Sequence, residues 1–274
     1  MNTSKQIAIL GAGNIGSSIA AGLVRSGVEP ASITLTRRKA QLLESFREQG
    51  FVVGEDNRKA VKTARIVIIS VEPQQIDNLL EEIAPDLDTK KHTVISVVSG
   101  VSVSQILDRV GKTITVVRAM PNTAISIGES MTCLAAGPSS EDALVAAEEI
   151  FGAVGRTLVI DEEQMIAATA LGACGVAFFL RAVRSASQGG IEIGFHAEAA
   201  LTIAAQTAKG AAALLLDSEN HPEREIDRVT TPRGCTIIGL NQMEHAGFSS
   251  AMIKGIVSSA RKAAGLYEHE DTDG

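Results

Sequence analysis

Six residues near the N-terminus constrain this chain more than any other feature: Gly11-Ala12-Gly13-Asn14-Ile15-Gly16. They follow the apolar run Ile7–Leu10 and open a segment that continues through Ala20 and Leu23 at helical spacing. A Gly-x-Gly-x-x-Gly pattern alone is a weak signal, but between a strand and a helix it has a mechanical reading. Gly11 permits the tight turn, the missing side chain of Gly13 lets backbone approach a pyrophosphate, and Gly16 lets helix and strand pack closely. Free N–H groups at the helix start bind the anion. All six positions, Gly11 to Gly16, are candidate contacts to a dinucleotide; the competing reading is a glycine-rich turn without a ligand.

The end of the following strand distinguishes the two common dinucleotides. A site for the unphosphorylated form places Asp or Glu there, to accept from the ribose 2′-hydroxyl. This chain has Thr36-Arg37-Arg38 instead. No carboxylate repels a 2′-phosphate, and a guanidinium can pair with one bidentately. The expected cofactor is NADPH, with NADH bound more weakly, and a solvated basic helix start is the alternative.

The rest of the first 160 residues alternates short β-branched runs with helical ones. Expected strands are Gln6–Leu10, Ser32–Thr36, Ile66–Ser70, Thr93–Val97, Ile114–Arg118, Met131–Ala135 and Thr157–Ile160; helices include Asn14–Arg25, Lys39–Gln49 and Gln74–Ile83. This alternation predicts an α/β, Rossmann-type doubly wound parallel sheet with helices on both faces over residues 1–160. Near Asp161 the texture becomes Ala-rich. Glu162–Gln188, His196–Asp217, Gly234–Ala246 and Ser249–Gly265 read as helices. Gly189-Gly190 and Gly194 are expected to separate the first two, and Asp217–Pro222 to form a polar break. Residues 161–274 are thus expected to form an all-α dimerisation domain, because small residues at helix contacts allow close approach and leave apolar faces to be covered.

Several classes fall away. The 25 basic residues are scattered in a chain of formal charge −7, so no nucleic-acid stripe exists. Three distant cysteines, Cys133, Cys174 and Cys235, and five dispersed histidines fit neither a disulfide framework nor a metal site. No charged head and cleavage site mark a secretory signal, and the longest apolar stretch of the C-terminal half, Gly210–Leu216, falls far short of a membrane span. A reduced cytoplasm is the expected location.

Further segments resemble the Δ1-pyrroline-5-carboxylate reductase family. They are Asp56-Asn57 with Ala60, Ser70-Val71-Glu72-Pro73, Ser96 through Ser99-Gly100-Val101, and Arg118-Ala119-Met120-Pro121-Asn122-Thr123. The most diagnostic is Val229-Thr230-Thr231-Pro232-Arg233-Gly234-Cys235-Thr236, followed by Gly239-Leu240 and Glu244. The resemblance spans nearly the whole chain in order. It implies NADPH-dependent hydride transfer to a cyclic imine, giving proline, by a homodimer or a ring of dimers. It also implies cofactor contacts from Asn57, Val71, Pro73, Ser99 and Pro121, and substrate contacts from Thr231, Gly234, Cys235, Thr236 and Glu219. The Thr236 hydroxyl takes the catalytic role, bonding the ring nitrogen, although helix capping is the plainer role for Thr231 and Thr236.

Three departures accompany the resemblance. Glu72 stands where the family has Lys, the Ser-Gly-Ser-Gly-Pro segment is replaced within Leu171–Ala177, and Arg233 replaces the first Gly of a Pro-Gly-Gly turn. Arg233 reads equally as an anion contact or a surface residue. Two alternatives keep the fold: a related imine or hydroxyacid reductase, and a non-catalytic NADP(H)-binding regulator. A hydroxyacid enzyme needs a positioned Lys on the first C-terminal helix, and Glu162–Gln188 has none.

Overall fold

The computed structural model describes residues 6–137, 140–218 and 220–265. The chain divides into two units, Met1–Cys174 with Ser259–Gly274, and Gly175–Ser258.

The first unit is built on one eight-stranded sheet. Its strands are β1 (Ile7–Leu10), β2 (Ile33–Thr36), β3 (Val52–Gly54), β4 (Ile66–Ile69), β5 (Thr93–Ser96), β6 (Thr115–Met120), β7 (Ser130–Ala136) and β8 (Gly155–Val159). Their order is β3-β2-β1-β4-β5-β6-β7-β8, and every pairing is parallel except β6 with β7. The helices that follow are α1 (Asn14–Arg25), α2 (Glu44–Glu48), α3 (Asn57–Thr63), α4 (Ile76–Ile83), α5 (Val103–Val110) and α6 (Glu141–Gly152).

Side-chain alternation explains why β1 and β4 are apolar throughout. Ile7 and Ile9 of β1, with Ile66 and Ile68 of β4, enter a core shared with α1 and α6. Their neighbours Ala8, Leu10, Val67 and Ile69 enter a second core with α3, α4 and α5 on the opposite face. Period-two alternation in a sheet covered on both sides therefore makes both phases hydrophobic. On α4 the buried residues Ile76, Leu79, Leu80 and Ile83 form the stripe that reaches this second core. Ser102 and Gln105 close a reciprocal capping box at the start of α5.

The expected strands all form. The three-residue β3 escapes the sequence reading because it is too short to show alternation, and Val52 is exposed at the sheet edge. The expected helix Lys39–Gln49 is a 3₁₀ turn, Ala40–Leu43, followed by α2.

The expected helix Glu162–Gln188 is interrupted and longer. It runs as a 3₁₀ turn (Glu162–Gln164), α7 (Met165–Ala168), a π-helical turn (Thr169–Ala173) and α8 (Gly175–Glu192). In the π turn the Cys174 N–H donates to Thr169 O, and the Gly172 carbonyl is met by the Asn122 side-chain amide at 3.1 Å. At the head of this run the Glu162 carboxylate accepts from the Val103 N–H at 2.6 Å and from Arg118 Nη1 at 3.2 Å. Burial pushes the Arg118 guanidinium down from its ordinary value, and Glu162 opposes that shift.

The second unit holds α8, then α9 (Ala197–Asp217), α10 (Pro222–Val229), α11 (Cys235–His245) and the larger part of α12 (Phe248–Ala264). Gly189-Gly190 does not end α8. A Cβ on Gly190 would lie 3.0 Å from the Ala200 Cβ, so this glycine serves close approach of α9, and Gly194 at φ 112° makes the break. The expected polar break at Asp217–Pro222 opens directly into α10, with Pro222 in its first turn and His221 accepting from the Glu223 N–H as its cap.

This unit leaves much apolar surface open. Phe179 is 63% exposed and Ile193 79% exposed. Two helical runs are long and apolar enough to cross a membrane by length and composition: Glu162–Glu192, which holds an 18-residue stretch of mean hydropathy 1.9, and Ala197–Asp217, which holds one of 1.4. This corrects the expectation drawn from Gly210–Leu216, because isolated Thr, Gly and Lys residues break a continuous run without lowering the average far.

His92 is buried beneath this first-unit sheet, with Nδ1 accepting from the Asp88 N–H at 2.7 Å and Nε2 facing Val61 O at 3.1 Å. That pattern requires the neutral ring, and burial lowers its pKa below the ordinary histidine value. Protonation then favours the unfolded chain, so the contribution is complete above about pH 6.5 and is lost as pH falls through that value toward the folded pKa. Thermal melts between about pH 7.5 and 5.5 should show a steeper loss of stability for the parent than for His92→Gln. Equal slopes would contradict this assignment.

Candidate dinucleotide cleft and C-terminal turn

The turn between β1 and α1 is fixed by two close approaches. Gly11 sits at φ 85°, and a Cβ there would lie 2.5 Å from Val71 Cγ1 and 2.6 Å from Ser70 O. A Cβ on Gly16 would lie 3.1 Å from both Gly11 O and Ile9 Cγ2. The N–H groups of Gly11 and Ala12 both donate to Thr36 O, at 3.1 and 2.8 Å, tying the turn to the end of β2.

Gly13 differs from its neighbours. A Cβ there would meet only Gly11 O, at 4.0 Å, and its φ of −83° is open to any residue. Nothing within the protein requires glycine at this position; a ligand drawn against the backbone would. Gly13 is also the N-cap of α1, whose start carries no side-chain cap. The first N–H groups of the helix point outward with the positive end of its dipole behind them.

A cleft of about 850 Å³ opens at this point, between the ends of β1 and β4. There the strand order reverses direction from β1–β2–β3 to β4–β5–β6, the usual place for a ligand in an open parallel sheet. Gly11, Gly13, Thr36, Arg37, Arg38, Asn57 and Val71 line it, as do Lys39, Glu55, Ser70, Glu72, Gln75, Asn78 and Glu82. Arg37 is half-buried with its N–H on Gly54 O, while Arg38 and Lys39 are exposed. These three cations share the cleft lining with Glu72 and Glu82.

The buried Thr36 hydroxyl donates to Asn57 Oδ1 at 2.6 Å, and Asn57 Nδ2 donates to Glu82 Oε2 at 3.1 Å. Of the other expected cofactor contacts, Ala12, Asn14, Ile15 and Gly16 belong to the turn and first helical turn. Pro73, Ser99 and Pro121 lie outside the cleft lining, in the segments after β4, β5 and β6. Ser99 Oγ lies 3.8 Å from Met120 Sδ. Gln75, Asn78 and Glu82 were missed by motif reading. Their signal is spacing: they recur every three or four residues beside the apolar stripe of α4.

The C-terminal turn belongs to the second unit. It runs from the end of α10 to α11, and the Gly234 N–H closes it on Thr231 O at 2.9 Å. A Cβ on Gly234 would lie 2.4 Å from Thr231 Oγ1 and 2.9 Å from the Thr231 backbone oxygen, so any other residue would shift the turn. Arg233, in the place of the family's first glycine, has φ 61°. Among the described residues it alone adopts a positive φ without being glycine, a conformation costing about 1 kcal/mol or more.

Gly234 is the N-cap of α11 and no side chain caps that helix, so Thr231 does not act as its cap. The Thr231 side chain is exposed and that of Thr236 half-buried. The turn thus offers backbone N–H groups at Cys235 and Thr236 with two hydroxyls nearby. Glu219 lies outside the described residues. Cys235 and Cys174 are free thiols, and burial pushes the Cys133 thiol up. Among the described residues no group of three or more His, Cys, Asp or Glu is placed to hold a metal ion.

Both halves match known family models. Residues 162–266 match pyrroline-5-carboxylate reductase dimerisation, and residues 6–100 match NADP oxidoreductase coenzyme F420-dependent. Pyrroline-5-carboxylate reductase 1 of Dictyostelium discoideum is 53% identical over 95% of this chain, which spans only 50% of that protein's length. Pyrroline-5-carboxylate reductase 2 of the same organism is 49% identical over 96% of this chain and 94% of its own. The solved structure of a pyrroline-5-carboxylate reductase from Coxiella burnetii is 30% identical, covering 98% of this chain and 100% of the other, with a TM-score of 0.91. End-to-end likeness at these identities, across the glycine turn and the Thr/Gly turn alike, means that the chain belongs to the pyrroline-5-carboxylate reductase family.

Proposed function

We propose that this chain reduces Δ1-pyrroline-5-carboxylate to proline with NADPH. The observation that carries the reading is Gly13, a glycine with open space at its Cβ position beside an uncapped helix start in the cleft. Its bareness makes sense for a diphosphate lying against the backbone. Asn14, Ile15 and Gly16 bind that diphosphate through their N–H groups. Arg37 and Arg38 take the ribose 2′-phosphate, and Thr36 and Asn57 hold the adenosine end. Val71 and Pro73, then Ser99 and Pro121, continue the cofactor path along the strand ends.

When bound, NADPH supplies the hydride. The residues of the C-terminal turn provide orientation and charge, and the chemistry asks little more of them. A protonated cyclic imine already carries positive charge beside the reacting carbon, so the C=N electron pair moves to nitrogen without a strong general acid. The N–H groups at Cys235 and Thr236 bind the substrate carboxylate, and Gly234, whose own N–H is held by Thr231 O, contributes its bare Cα beside it. The Thr236 hydroxyl accepts from the ring N–H and fixes which carbon is presented. Thr231 and Glu219 complete the substrate contacts.

The open faces of α8 and α9 are read as self-association surfaces in a dimer, with rings of dimers as the larger form, and not as membrane spans. The matched dimerisation model over residues 162–266 supports this. The enzyme is assigned to the cytoplasm.

Purified protein given NADPH and racemic pyrroline-5-carboxylate should oxidise the cofactor, followed by its absorbance. Turnover only on other imines or keto acids, or binding without turnover, would contradict the assignment. Thr236→Ala should lower kcat by at least about ten-fold while the Kd for NADPH stays within about two-fold. Comparable loss of cofactor binding would overturn the placement of Thr236. Arg37→Ala or Arg38→Ala should weaken NADPH by about ten-fold more than NADH, since each removes a charge-assisted contact to the 2′-phosphate. Parallel losses for both cofactors would undo that assignment.

A further inference from the structure

The cleft contains a hydrogen-bonded chain that joins the two residues assigned to the adenosine end, Thr36 and Asn57, to a third, Glu82, that has no role above. Thr36 Oγ1 donates to Asn57 Oδ1 at 2.6 Å, and Asn57 Nδ2 donates to Glu82 Oε2 at 3.1 Å. The three residues come from three elements, β2, α3 and α4, and all line the cleft. A primary amide has two nearly isosteric orientations, and its neighbours decide between them. Turning Asn57 over would place its carbonyl oxygen against the Glu82 carboxylate, acceptor against acceptor. The Thr36 hydroxyl cannot choose alone, because it donates or accepts equally well. Glu82 is the member of the chain that only accepts when ionised, so it decides.

We propose that Glu82 is a positioning residue for the cofactor, acting through Asn57. Its carboxylate locks the amide so that Asn57 offers its remaining N–H to the adenosine end of the cleft. That donor suits a ribose or phosphate oxygen, which the reversed amide would repel. The inference rests on the cofactor reading proposed above.

Two features of the surroundings favour this role over a general electrostatic one. The Arg58 guanidinium, on the same helix as Asn57, is held by Asp86 at 2.5 Å, and the hydrogen bond to the Glu82 carboxylate comes from Asn57. A carboxylate in a cleft built for an anionic ligand is also unfavourable as a charge. Its presence therefore calls for a compensating task.

The test is Glu82→Gln, which removes the charge, keeps the size and replaces an accept-only group by an amide that donates or accepts and so cannot choose the Asn57 orientation. Loss of a negative charge alone would tighten the binding of an anionic ligand, whereas loss of the lock weakens it. Calorimetric Kd values are measured for NADPH and for adenosine 2′,5′-bisphosphate, which carries the adenosine half alone. Both ligands should bind Glu82→Gln about five-fold more weakly than the parent, the equivalent of one neutral hydrogen bond. In an Asn57→Ala background the same substitution should bring no loss. Glu82 is exposed, so melting temperatures serve as a check that each variant is folded.

Unchanged or tighter binding by Glu82→Gln, with the parent binding normally, would overturn the role of Glu82 and leave the cofactor reading intact. A loss of the same size without Asn57 would overturn the route through Asn57. Failure of the parent to bind adenosine 2′,5′-bisphosphate at all would overturn the cofactor reading and this proposal together.

Discussion

The first N–H groups of α1, left without side-chain partners at the β1 end, are the constraint on which the functional arrangement depends. A helix start needs a partner for these groups, and no side chain of the cap supplies one. Gly11 and Gly16 hold the helix so close to β1 and to the Ser70–Val71 backbone that no side chain fits between them. The two bonds from Gly11 and Ala12 to Thr36 O then bring the end of β2 alongside. Fixing one turn in this way places the amide cluster, the Arg37-Arg38 pair and the Asn57 amide around one cleft. The positive helix end and the basic strand end border the same cleft.

Much of this was legible from residues alone. The strands β1 and β4 read clearly because burial on both faces removes polar residues from both phases of the alternation. The boundaries Asn14–Arg25 agree because glycine and a charged last turn bracket the helix. What stayed hidden depends on three-dimensional approach. β3 owes its existence to pairing with β2 and has too few residues to show a pattern. Gly189-Gly190 looked like punctuation, yet Gly190 is a contact surface for Ala200. The π turn at Thr169–Ala173 relies on Asn122, 50 residues earlier in the chain, to satisfy the Gly172 carbonyl. Glu82 carries no motif at all, and only the fold brings it to Asn57.

The departures from the family pattern separate along the same line. Arg233, where the family pattern has glycine, sits at φ 61°, a left-handed conformation that glycine would adopt without the strain arginine bears. Glu72 is the N-cap of the 3₁₀ turn Pro73–Gln75 and accepts from Gln75 Nε2 at 3.2 Å, while its side chain lines the cleft. The helical unit presents a different balance. Few of its side chains are buried within one copy, and a groove of about 620 Å³ between α8 and α9 is lined by small and apolar residues. Surface of that kind is normally covered, and the dimerisation family identifies the mode of covering.

Gly13→Ala tests the central claim most directly, because it separates the needs of the fold from those of the ligand. The added methyl group meets no atom of the chain closer than 4.0 Å, and φ of −83° suits alanine. The account predicts a melting temperature unchanged or slightly raised, since alanine restricts the unfolded chain by up to about 1 kcal/mol. It also predicts that the Kd for NADPH rises by at least about ten-fold, because the methyl occupies the space of the diphosphate. Undiminished NADPH binding by a fully folded Gly13→Ala protein would contradict the account at its root.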